Sequence, residues 1–107
     1  MKTYQQLLQQ WSTLAPNECR ATENLYAFMV KYNNTLRLVC SDNLDKHTLD
    51  FVLVTIINHC LCRNSRIEFA SVVSGEVVAT ISGGLRSQPY SHIAIAALDA
   101  YIQLLEF

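Results

Sequence analysis

Apolar residues at Tyr4, Leu7, Leu8, Trp11 and Leu14 recur at helical spacing in a stretch otherwise rich in glutamine, which predicts a first helix with one apolar face. Thr3 and Gln6 have the spacing of a capping box at its start, and Pro16-Asn17 ends the pattern. After a polar loop, "ENLYAFMVKY" and "TLRLVC" are rich in aromatic and branched residues. Asn33-Asn34 between them tolerate the positive φ of a tight turn, so the pair reads as a hairpin. "SDNLDKH" offers several N-cap residues ahead of the apolar-periodic run from Leu49 to Leu61, a second helix that stops near Arg63-Asn64. "RIEFASVV" and "EVVATIS" flank Ser74-Gly75 as a second hairpin, with Ile67 and Phe69 facing away from Arg66 and Glu68. Gly83-Gly84 break the strand, "LRSQPYS" is a loop, and "SHIAIAALDAYIQLLEF" runs as a final helix.

The predicted order is helix, hairpin, helix, hairpin, helix. The segments Tyr32 to Leu61 and Val73 to Ile102 share one plan of tight turn, strand, polar loop and long helix. Two hairpin-plus-helix units predict an α+β fold with one four-stranded antiparallel sheet and the helices packed on it. With 107 residues and no linker, residues 1–107 form a single domain.

Half of the residues are apolar and 16% are charged, which excludes a disordered chain. Eight basic and nine acidic residues leave a net charge of −1, so no global field draws in nucleic acid, and a nucleic-acid partner is not expected. "MKTYQQLLQQW" lacks the apolar run of a signal peptide, and Asp50, Thr55, Asn58 and His59 interrupt the most apolar segment. A cytoplasmic protein without a membrane partner is the expectation. Cys19, Cys40, Cys60 and Cys62 are then expected as free thiols.

"NHCLCRN" groups a histidine with two cysteines. On a helix turning ~100° per residue, Leu49, Leu53, Ile56 and Cys60 share the buried face, and Cys62 points roughly 200° from Cys60. The two thiols cannot grip one ion from an intact helix. His59 and Cys62 share an edge, but a structural zinc takes about four ligands, and the others would have to come from Cys19, Cys40 or a second subunit. No metal or cofactor is expected. His47, His59 and His92 sit on helical segments with no recognisable nucleophile nearby, and Asp42, Asp45 and Asp50 cluster where they favour a helix start, so no catalytic residue is assigned.

The most site-like segment is "SGGLRSQPYSH". Gly83 and Gly84 can bring backbone amides near an anion, Arg86 adds charge, and Ser87, Ser91 and His92 lead into a helix N-terminus. The plainer alternative is that the glycines end a strand and Ser91 caps the helix. In the final helix, Ala94, Ile95, Leu98, Tyr101, Ile102 and Leu105 form a core stripe. A second stripe, Ile93, Ala97, Ala100 and Leu104, lies on a flank. It either lies under the first helix or forms a partner surface, for which a homodimer is the simplest case.

"RIEFASVVSGEVVATISGG" followed by "SQPYSHIAIAALDAYIQL", with the earlier helix "SDNLDKHTLDFVLVTI", resembles the phage ABA-sandwich family over roughly Ser41 to Leu105. The chain departs where that family often carries tryptophan and glycine in the hairpin and a cysteine-arginine pair in the last helix, a place held here by Ile93-Ala94-Ile95. The resemblance implies an origin in phage or mobile elements and supplies no catalytic residues. The expectation is therefore a small non-enzymatic accessory protein, a counter-defence inhibitor that binds a host protein in the host cytoplasm. The alternative is a module that sequesters a nucleotide-like anion at Gly83 to His92; a nucleic-acid-binding domain ranks below both.

Overall fold

Three helices and six strands follow in the order α1 (Tyr4–Leu14), β1 (Cys19–Ala21), β2 (Ala27–Tyr32), β3 (Thr35–Cys40), α2 (Lys46–Cys62), β4 (Ile67–Ser71), β5 (Val77–Ile81), β6 (Leu85–Arg86) and α3 (Ile93–Leu105), in a computed structural model that describes residues 1–107. The capping box at α1 forms in both directions. The Gln6 amide donates to Thr3 Oγ1 at 3.1 Å, and the Thr3 amide donates to Gln6 Oε1 at 2.9 Å. α2 starts before its apolar run because Asp45 caps it, accepting from the Thr48 amide at 3.2 Å.

The strands do not form the four-stranded sheet that the pattern predicts. They form two separate three-stranded antiparallel sheets, β1-β2-β3 and β4-β5-β6. Each hairpin gains a short third strand, and each sheet finds its own cover. Phe28, Val30 and Val39 on the inner face of the first sheet are buried on the side of α1 and α2. There Tyr32 meets the Phe51 ring edge-on, and the Arg37 guanidinium lies 5.4 Å from that ring's centre. Ile81 and Ala79 of the second sheet are buried against α3, with Ile67 and Phe69 beside them. Because a different helix surface covers each hairpin, neither needs the other's edge.

α3 is buried on all sides, with β5 and β6, α1 and α2 all packed on it. Every residue from Ala94 to Ile102 is buried. The partner-surface reading of the flank stripe is therefore corrected in favour of its alternative, a stripe covered within the fold: Ala97 and Ala100 are 0% exposed, Leu104 is half-buried and only Ile93 is open. A helix that is apolar all round belongs inside, and a two-stripe reading of its pattern misses that.

Cys60 is fully buried, as the helical spacing predicts, and so is Cys19, while Cys62 is exposed. Leu53, placed on the same face by the spacing, is only partly buried, and Val52 and Thr55 take the deep positions. Burial pushes the Cys19 thiol from its ordinary 9.0 up to about 12 and the Cys60 thiol up to about 11. Each thiol holds its proton more tightly folded than unfolded, so its contribution to stability is whole at neutral pH. That contribution is lost as pH climbs from about 9 through 11 and 12. Urea midpoints measured from pH 7 to pH 11 are expected to fall steeply over that limb. Cys19→Ala should flatten the fall; an unchanged slope would mean that the thiol is not buried.

Candidate functional site

The chain leaves α1 through a turn in which the Glu18 amide donates to the Ala15 carbonyl at 2.9 Å, and this turns the Glu18 side chain into the interior. A buried carboxylate needs donors, and three helices supply them. Trp11 Nε1 of α1 donates to Glu18 Oε1 at 3.0 Å, and the Tyr101 hydroxyl of α3 donates to the same oxygen at 2.7 Å. From the end of α2, an Arg63 guanidinium nitrogen stands 3.5 Å and His59 Nδ1 3.6 Å from Oε2. Arg63 Nε also donates to the Tyr101 hydroxyl at 3.3 Å, and the His59 ring stacks on the Tyr101 ring with centroids 6.0 Å apart. Burial and then the Glu18 carboxylate push the Tyr101 hydroxyl well above the ordinary tyrosine range, so it remains a donor.

Periodicity finds Trp11 and Tyr101 only as core positions, and it misses Glu18 altogether because a loop residue has no period. The one available signal is that two buried aromatics with polar ends require acceptors.

Beside this network lies a cleft of about 380 Å³ lined by Asn17, Glu18, Lys31, Asn33, Asn58, His59 and Cys62. His59 and Cys62 thus share an edge, as the helical spacing predicts. No three His, Cys, Asp or Glu side chains are grouped so as to hold an ion. A second depression of about 400 Å³ shares Asn17, Glu18 and Lys31 with the first and continues to Arg20, Met29, Asn34 and Leu36. The two make one recess that runs from the end of α2 onto the outer face of the first sheet.

The register of that sheet sets the chemistry of its outer face. Arg20, Met29 and Leu38 pair directly across the three strands, and Lys31 pairs with Leu36. Leu36 and Leu38 are 63% and 54% exposed, and no element covers them. The hairpin closes on Tyr32 and Thr35 around Asn33, whose φ is +55°, so Thr35, Arg37 and Val39 exchange ladder bonds with β2. The backbone N–H and C=O groups of Leu36 and Leu38 therefore point to the open edge.

The segment Gly83 to His92 is strung along a strand rather than gathered. Gly83 and Gly84 form the β5–β6 turn with positive φ, whereas Tyr90 bridges back to Val77 near the start of α3. At ~3.3 Å per residue, that ladder separates the glycines from the helix N-terminus by roughly 15 Å. Arg86 is exposed and pairs with Thr80. The Ser87 hydroxyl is used internally, accepting from the Ala79 amide at 2.9 Å and donating to the Gln88 carbonyl at 2.8 Å. Ser91 is exposed and does not cap α3; His92 holds the N-cap position with no side-chain bond.

The chain matches no family model, no curated protein and no solved structure. No helix is long and apolar enough to cross a membrane.

Proposed function

We propose that the protein acts by binding another protein, taking an extended acidic segment along the free edge and outer face of β3. The observation that carries this reading is the pair Leu36 and Leu38, open in both side chain and backbone on a regular edge strand, beside Arg20 and Lys31. Natural edge strands are usually blunted by charge, proline or cover, and an added strand uses the groups left free here. The Glu18 carboxylate is engaged by Trp11, Tyr101 and Arg63, so it does not neutralise the basic side chains on the neighbouring face. A second copy is the poorer occupant, because pairing two β3 edges would bring the Arg37 side chains of the two copies together, like charge against like. The phage ABA-sandwich resemblance suggests the setting: a small accessory protein of phage or mobile-element origin that occludes a host protein, without catalysis.

The test compares capture of host proteins by the tagged wild type, by a Leu36→Glu/Leu38→Glu variant and by Val73→Glu in the exposed β4–β5 turn. One partner is expected to be retained by wild type and Val73→Glu, lost from the double variant, and released as salt rises. Equal capture by all three proteins would sink the reading.

A further inference from the structure

We propose that the pocket between α3 and the residues preceding α1 binds a small organic cation through a primary ammonium or guanidinium group. The pocket is about 420 Å³ and is lined by Met1, Lys2, Gln88, Tyr90, Asp99 and Gln103, a size suited to a ligand of several heavy atoms. Asp99 is the one charged residue within the buried run of α3, and it is 5% exposed. Its Oδ2 accepts from the Gln88 amide at 2.9 Å, and no lysine, arginine or histidine forms an ion pair with it. Pinning Gln88 needs only a neutral acceptor. A buried carboxylate left without a counter-charge is costly, and its second oxygen is still free to accept.

Tyr90 supplies the independent observation. It is 5% exposed, and its hydroxyl is buried between the Asp99 carboxylate and the Lys2 backbone without a well-aligned hydrogen bond to either. Burial first, and then that carboxylate, push the hydroxyl up to about 12, so it stays neutral. Gln103 Nε2 is committed to the Arg86 carbonyl at 2.7 Å, which leaves its amide oxygen unused. A carboxylate oxygen, an amide oxygen and a phenol oxygen all accept, and an ammonium or guanidinium group brings the several N–H donors and the charge that such a set lacks. Lys2 and the Met1 α-ammonium line the same pocket without forming an ion pair with Asp99, so they are the internal cations with which a ligand competes. The sign of charge is opposite to the anion site that "SGGLRSQPYSH" suggests in sequence, because the inner side of this loop faces a carboxylate supplied by α3.

The test uses the full chain and putrescine as the probe, with propionate as the anionic control, and follows the Gln88 amide by 1H–15N NMR. A saturable shift is expected with putrescine and none with propionate. Tyr90→Phe should weaken binding roughly fivefold to tenfold, the value of one hydrogen bond, with a urea midpoint close to that of wild type because the hydroxyl makes no well-aligned bond within the fold. Asp99→Asn should abolish binding, and Lys2→Ala should leave it unchanged or tighter. Since Asp99→Asn is in the core and can fail to fold, Tyr90→Phe carries the decision. No saturable shift at any concentration the amine can reach, an equal response to propionate, or undiminished binding by folded Tyr90→Phe overturns the proposal.

Discussion

Glutamate introduced together at Ala97 and Ala100 is expected to leave the protein unfolded at 25 °C. On a flank stripe open to solvent, both substitutions would be tolerated and only association would suffer. In the fold, both alanines are 0% exposed on a helix packed by α1, α2 and the second sheet. Each glutamate forces extra volume into a filled interior and brings a carboxylate with no donor waiting for it. Costs of this kind exceed about 4 kcal/mol per site, and two of them use up the ~5–15 kcal/mol that holds a domain of this size together. Circular dichroism decides the matter: loss of the near-ultraviolet signal and of a cooperative melt is expected. A double variant that melts within a few degrees of wild type would return the stripe to the surface.

The same helix shows what a periodic pattern does and does not disclose. Capping at Thr3 and Asp45, the Asn33 turn and the burial of Cys60 depend on a few neighbouring residues, and those features are legible in the chain. The run Ile93-Ala94-Ile95-Ala96-Ala97-Leu98 is apolar on every side, which signals burial on every side, yet dividing it into two stripes hides this. Strands β1 and β6, of three and two residues, are too short to show alternation, and the choice between one sheet and two depends on which helix covers each hairpin. Glu18 and Asp99 are less legible still. A buried acid is placed by its partners, here Trp11, Tyr101 and the Gln88 amide, and those partners are distant in sequence or act through the backbone.

Glu18→Ala is expected to destabilise the protein by about 3–5 kcal/mol, the range for removing one partner from a buried charged network. The loss strands the Trp11 indole N–H and the Tyr101 hydroxyl, both buried, and takes from Arg63 its only carboxylate. Those donors come from all three helices, so the damage falls on their mutual packing rather than on one element. Glu18→Gln keeps a carbonyl oxygen for the two short bonds and should cost about 1–2 kcal/mol, the difference between a charged and a neutral acceptor. Arg63 is 46% exposed, and water screens its pairing, so Arg63→Ala should cost no more than about 1 kcal/mol despite its place in the same cluster. Urea denaturation of the three variants at pH 7 tests the order. If Arg63→Ala costs as much as Glu18→Ala, the ion pair and not the shared acceptor holds the helices together; if Glu18→Ala costs nothing, the network is incidental to the fold.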